Sequence, residues 1–258
     1  MMIPRIIHQI YLDDHPPPNL QANIDRLKTL NPSWEHRLWT TGSAKLFIRD
    51  HYGPTMLSTF MRIDPRYGAA RADLLRHLVI HSFGGVYCDI KSGFSRPLND
   101  VILFDDEYLL AQWNNGFELM HRELRAIPGG EFVTYFIIAK PDHPFSAAAI
   151  SRIVDNIINY RPWSSVGRNG VLRTTGPVAY TLAVHPLLDQ HSHRFVKAEE
   201  LGAYWTLGPD YDHLAQFRSH YSTLTCPLVQ LDPIAAAINR CIMSFRARLA
   251  PKLKRGSL

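Results

Sequence analysis

Asp89 and Lys91 stand two residues apart where the apolar run of GGVYCDIKSG (residues 84–93) ends, and Asp73 and Arg76 stand three apart in the segment before it. The Asp73 and Arg76 spacing is helical, so the two share a face. A carboxylate and a forked guanidinium on one face offer an acceptor and several donors to the same cleft, and a sugar hydroxyl is a natural partner for both. Asp89 and Lys91, if extended, point the same way because side chains alternate along a strand. Gly84 and Gly85 permit the tight turn that sends such a strand back past the helix end. Helix face and strand tip can then converge on one ligand. The alternative for each pair is a surface ion pair worth about 0 to 1 kcal/mol, with no function.

Several elements have to hold these residues in place. Residues 5–11 form a β-rich run, and the turn-prone DDHPPPN follows. A helix is predicted over 20–30 and a strand over 36–39. Ser43 is placed to cap a helix through Asp50, and Pro54 to open a short one after it. Leu74, Leu75, Leu78 and Val79 have helical spacing within 68–82, and Phe83-Gly84-Gly85 stops that helix before the buried strand VYCDI. Strands are predicted at 108–112 and 132–139. A helix over 145–160 carries Ala149, Ile150, Ile153, Ile157 and Ile158 as one stripe. This order of elements is α/β, with helices covering a mainly parallel central sheet. Ligands of such sheets bind beyond the carboxyl ends of strands, and Asp89 falls at one such end.

At 258 residues, with 46% hydrophobic and 20% charged residues, the chain can bury a sizeable core, which excludes a disordered class. The formal charge of +5 favours anionic ligands. The basic residues are scattered until the final ARLAPKLKRGSL, so no nucleic-acid partner is expected. Peripheral contact with an anionic membrane is one reading of that tail, and a solvated end is the other. Cys88, Cys226 and Cys241 lack C-x-x-C spacing, which points to a reducing compartment and away from a cysteine zinc site. The sequence has no apolar stretch of about 18 residues, the length expected of a membrane span, and MMIPRIIHQIYLDD reads as a first strand rather than a signal peptide.

IPRIIHQIY, NPSWEHRLW, RADLLRHLVIHSFGGVYCDIKSGFSRPL, FIIAKPDHPF and TTGPVAYT, ordered from Ile3 to Thr181, resemble the glycosyltransferases of family 32. These have a sugar-binding region with a D-x-D motif and are related to yeast mannosyltransferases and to clostridial glucosylating toxins. The resemblance implies the type A glycosyltransferase fold, a Rossmann-like domain over 1–258. It would comprise a nucleotide-sugar-binding half (1–110), an acceptor-side half (111–232), and a C-terminal helix with a basic tail (233–258). It further implies a UDP- or GDP-sugar donor and transfer of a hexose with retention. Carried over by position, Asp73, Arg76 and Gly85 resemble donor contacts, Asp89 the first Asp of the motif, and Ile10 and Tyr11 the strand end that holds the base.

Lys91 departs from the family pattern, which has a second Asp as a ligand of Mn²⁺ or Mg²⁺. Two carboxylates and a divalent cation sum to zero charge, and so do Asp89 and Lys91 alone. Lys91 is therefore expected to stand near the diphosphate in place of the metal, leaving a divalent cation unneeded or weakly required. The competing version keeps a metal on Asp89, with His220 or Asp210 and Asp212 assisting. Thr175 and Gly176, with Thr174, are expected to open a helix whose amides face an anion or the acceptor, or to serve as a plain cap. His8 and His77 read as packed or surface imidazoles; Tyr11, Trp34 and Trp113 could stack on a base or sugar, with a core role the favoured reading for the two tryptophans.

The function expected is transfer to a surface polysaccharide or lipid-linked oligosaccharide by a bacterial cytoplasmic enzyme, peripheral to the inner membrane if the tail binds there. The alternatives are a non-catalytic relative that binds sugar-nucleotides or glycans, and a protein-glucosylating effector.

Overall fold

The apolar run before Tyr11 forms β1 (Ile6–Ile10), whose last four residues are buried. In the computed structural model the described residues are 2–13, 15–113, 121–161, 166–207, 221–231 and 233–253, and within the last segment the side chains of 233–242 and 244. Pro18 opens α1 (Pro18–Leu30), which leads to β2 (Glu35–Trp39), parallel to β1. In α2 (Thr41–Arg62) the cap is Thr40, one turn earlier than expected. Its hydroxyl accepts from the Ser43 amide while the Ser43 side chain accepts from the Thr40 amide, so Ser43 is the reciprocal partner. Gly53, with φ of 78°, breaks that helix, and Pro54 starts its second half as the sequence predicts.

The central segment is α3 (Gly68–Phe83) followed by β3 (Gly85–Cys88). Gly84 and Gly85 have φ of 62° and 94°, and a Cβ at Gly85 would collide with the Ile6 carbonyl. Glycine is needed there both for the left-handed backbone and for the close pairing of β3 with β1. Leu74, Leu75 and Leu78 are fully buried, each contributing about 1.5–3 kcal/mol of burial.

β3 pairs in parallel with β1 and antiparallel with β6 (Phe136–Ala139), which pairs antiparallel with β5 (Tyr108–Leu110); β5 in turn pairs in parallel with β7 (Arg194–Phe195). The sheet order is β2-β1-β3-β6-β5-β7, so β6 alone runs against the other five strands. A short antiparallel pair, β4 (Gly93–Phe94) with β8 (Ala203–Tyr204), lies apart from this sheet.

The pleat divides the core. Tyr87 joins the helices α3 and α4 (Pro144–Ile158) in the larger cluster, while Val86 and Cys88 pack with Ile7, Leu109 and Ile138 in the second. Ala149, Ile150, Ile153 and Ile157 are buried as the stripe predicts, but Ile158 is exposed because it falls on the outer side of α4 at its last residue. No helix among the described residues is long and apolar enough to cross a membrane.

Candidate active site

The strand that was expected to run through Ile90 ends at Cys88. The Asp89 amide bonds to the Tyr135 carbonyl at 2.8 Å and the Ser92 amide to the Asp89 carbonyl at 2.8 Å, so residues 89–92 form a turn rather than extended chain. Strand alternation therefore does not orient Asp89 and Lys91. The turn does, and it is anchored from outside: Asn23 on α1 donates to the Ile90 and Ser92 carbonyls, both at 2.9 Å, and Ser92 donates to the Trp205 carbonyl at 2.7 Å.

Asp73 and Arg76 are on the buried side of α3, where Arg76 Nη2 donates to Asp73 Oδ1 at 2.5 Å. The same Nη2 lies 3.7 Å from Asp89 Oδ1, Nη1 donates to the Thr134 carbonyl, and the guanidinium sits 4.9 Å over the Tyr87 ring. The Tyr87 hydroxyl donates to Asp89 Oδ1 at 2.6 Å. The Thr175 hydroxyl donates to Asp73 Oδ2 at 2.8 Å. Each Asp73 oxygen thus has one protein donor and a further lone pair to offer, while Asp89 has Oδ2 turned to no described donor. Burial raises the Asp73 carboxyl above its ordinary range, opposed by Arg76 and by the Thr175 hydroxyl. Burial acts against the Arg76 charge, but Tyr87, Asp73 and Asp89 outweigh it and hold the guanidinium protonated.

Lys91 is half-buried with Nζ 4.7 Å over the Trp205 ring. Burial lowers its pKa, Asp89 opposes that, and Arg76 adds to the lowering. Trp205 meets Trp113 edge-on at 6.2 Å, and Trp113 packs on Tyr135 at 5.4 Å. Trp113 is 39% exposed, against the core role expected of it; it lies beyond the end of β5, where its amide still bonds to the Glu131 carbonyl. Trp34 is buried as expected.

Of the other expected site residues, Ile10 is buried at the end of β1 and Gly85 serves the backbone turn. Tyr11 packs half-buried in the cluster of Leu20, Ile24 and Ile90, beside the 89–92 turn. Thr174 ends the helix α5 (Gly167–Thr174) instead of opening one, and Gly176 precedes α6 (Pro177–Val184). The Thr175 and Gly176 amides both bond to the Val171 carbonyl, at 3.0 and 2.9 Å, so neither faces a ligand. Thr175 enters the site through its hydroxyl. His220, Asp210 and Asp212 lie outside the described residues.

His8 is packed: its Nε2 lies 3.0 Å from the Gly84 carbonyl, its Nδ1 accepts from Trp39 Nε1, and burial lowers its pKa to about 3. His77 is buried against Tyr180, and burial likewise takes it to about 3. Tyr87 was not anticipated, although its position two residues before Asp89 on a predicted strand was the available signal. The Thr134 and Tyr135 carbonyls and Trp205 left none.

Among the described residues no group of three or more His, Cys, Asp or Glu side chains is placed to hold a metal ion. Asp89 has the Arg76 guanidinium 3.7 Å away and the Lys91 charge acting on it, whereas Mg²⁺ and Ca²⁺ require about six oxygen ligands. The described side chains do not by themselves complete the oxygen shell of a divalent cation.

Residues 17–109 match the family described as the glycosyltransferase sugar-binding region containing DXD motif. This bears out the resemblance read from the sequence. The mannosyl phosphorylinositol ceramide synthase SUR1 of Saccharomyces cerevisiae is 34% identical over 103 residues, 40% of this chain and 26% of that protein. The synthase CSH1 of the same yeast is 24% identical over 233 residues, 85% of this chain and 57% of that protein. The chain thus spans about a quarter of the first of these curated relatives and somewhat over half of the second. The ligand-free glycosyltransferase domain of the YGT toxin superposes with a TM-score of 0.50 at 9% identity, over 80% of this chain and 82% of that one. The fold is the type A glycosyltransferase fold expected from the sequence.

Proposed function

With the sugar-binding region of the DXD glycosyltransferases in its first half, we propose that this chain transfers a hexose, mannose in the first instance, from a nucleotide-sugar to a lipid-borne polar headgroup. The observation that carries this reading is the cluster of Asp73, Arg76 and Asp89 at the carboxyl end of β3, inside the matched region. Both yeast relatives are named as synthases of mannosyl phosphorylinositol ceramide, which favours a lipid-linked acceptor over the surface polysaccharide also expected from the sequence. Asp73 and Asp89 accept hydrogen bonds from donor hydroxyls through their remaining lone pairs, and Arg76 holds both carboxylates in place. Lys91 stands beside the diphosphate as the positive charge that the second Asp and its metal supply elsewhere in the family.

In the transfer we propose, the bond from the sugar anomeric carbon to the phosphate oxygen breaks with its electron pair going to the diphosphate. The acceptor hydroxyl oxygen forms the new bond to that carbon on the same face, and its proton passes to the leaving phosphate. No side-chain nucleophile is needed.

The test is release of free nucleotide from UDP- and GDP-hexoses, with vesicles carrying an inositol phospholipid and with or without EDTA. Free nucleotide and labelled lipid are expected, with EDTA leaving the rate unchanged. Lys91→Ala should lower kcat by about 10²–10³, the scale for removing one positioned charge donor. Strong EDTA inhibition restored by Mn²⁺ would sink the role given to Lys91, and donor binding without release in every condition would favour a non-catalytic relative.

A further inference from the structure

Glu131 lies outside the donor cluster but on the same stretch of chain. It follows a turn whose Gly129 and Gly130 have φ of 73° and 71°, pinned by Gln112 Nε2 on the Pro128 carbonyl at 2.8 Å. Its carbonyl accepts from the Trp113 amide at 3.1 Å. Three and four residues on, the Thr134 and Tyr135 carbonyls hold Arg76 and the Asp89 amide. The Glu131 side chain is only 14% exposed, and its nearest partner among the described residues is His121 Nε2 at 3.5 Å. That is well beyond a charge-assisted hydrogen bond of about 2.7–2.9 Å. A carboxyl withdrawn from water with no close donor is costly to keep unless a ligand supplies one.

Arg168, on the first turn of α5, is exposed and makes no ion pair among the described residues. Its charge acts on Glu131 and His121, and also on the Tyr221 phenol. Tyr221 in turn lies in the field of Asp73, Asp89 and Arg76. α5, which carries Arg168, reaches both regions: Thr175 at its C-terminal end donates to Asp73 at 2.8 Å, and Arg173 pairs with Glu123, two residues from His121, at 2.5 Å.

We propose that His121, Glu131 and Arg168 form the acceptor site and that its ligand is a polyol carrying a phosphodiester. The Arg168 fork takes the phosphate oxygens, Glu131 accepts from a ring hydroxyl, and His121 orients the Glu131 carboxylate. Burial raises the Glu131 carboxyl to about 7, the state of a group short of donors, and Arg168 opposes the rise. This assignment rests on the transferase reading above and extends it to the acceptor.

The experiment titrates glycerophosphoinositol, myo-inositol and inorganic phosphate by calorimetry into the whole protein saturated with UDP or GDP. Glycerophosphoinositol is expected to bind at least about tenfold more tightly than either fragment, because it alone meets both ends of the site. Arg168→Ala and Glu131→Gln should each weaken it by about tenfold or more, and the charge reversal Arg168→Glu should abolish it. All three variants should keep the rise in Tm that the nucleotide gives the parent, which shows that the donor side is folded. The site is overturned if the parent does not bind glycerophosphoinositol, if phosphate alone binds as tightly, or if the variants bind like the parent. Binding that obeys these expectations without transfer from any donor supports the site and overturns only the proposed reaction. Transfer by the parent that the variants leave untouched overturns the site and spares the reaction.

Discussion

Around Asp73 and Arg76 most polar atoms have close partners within the protein, Arg76 Nε excepted, whereas the Glu131 carboxylate is held loosely. In the first region Arg76 and the Thr175 hydroxyl donate to Asp73, and the Tyr87 hydroxyl donates to Asp89, at 2.5–2.8 Å. In the second the one described contact of the carboxylate is 3.5 Å long, and the nearby Arg168 is exposed. Both carboxyl groups are raised by burial, but only Asp73 has close donors to offset it. The difference teaches which cluster is preorganised by the fold and which awaits a ligand. A preorganised network keeps its geometry whether or not a substrate is present.

The largest effect that would break this contrast is expected from Arg76→Ala. It leaves Asp73 buried opposite no cation, and loss of one partner of a buried pair costs about 3–5 kcal/mol. Chemical denaturation should read this as a lower midpoint, while Arg168→Ala should move the midpoint little. Equal losses for the two would mean that the two regions are not different in kind. Next comes Tyr87→Phe, which removes the donor to Asp89 Oδ1 and should cost about 1.5–3 kcal/mol, the range for a hydrogen bond to a charged group. It should also raise the donor KM, because Asp89 is then free to turn. A KM equal to the parent's would exclude Tyr87 from positioning.

The smallest expected effect concerns Glu131 and pH. Its folded pKa of about 7 lies above the 4.5 of an ordinary glutamate, so between these pH values the native state holds a proton that the unfolded chain has lost. Its contribution to stability is therefore fully present below 4.5 and is lost as the pH rises through about 7. The difference in Tm between Glu131→Gln and the parent should grow in favour of the variant from pH 4.5 to 8. A constant difference would show that Glu131 is not desolvated. His8 and His77 act with the opposite sign. Buried neutral with pKa near 3, they take up protons only on unfolding as the pH falls below 6.5, so acid destabilises the fold through them.

Much of the frame was legible because it depends on short-range rules. Apolar spacing located α3 and α4, and paired glycines marked the stop between α3 and β3. The Asp73 and Arg76 pair follows from helical periodicity alone. The turn at Asp89 was not legible, because it is made by the Tyr135 carbonyl and Asn23, residues far away in the chain. The same holds for Trp113, whose neighbours Tyr135 and Trp205 come from distant parts of the chain. Thr175 was singled out for its amide and contributes its hydroxyl, a distinction decided by the junction of two short helices rather than by local sequence.

The lone reversed strand has a consequence for how such a protein diversifies. Because β6 runs against its neighbours, its beginning reaches the ligand side, and what it brings there are the carbonyl oxygens of Thr134 and Tyr135. Main-chain oxygens are the same whichever residue occupies the position. The floor beneath Arg76 and Asp89 is therefore insensitive to point mutation at these two codons. New preferences for sugar or acceptor have to be written into the parts that stand on it, the 89–92 turn and the tryptophans at 113 and 205.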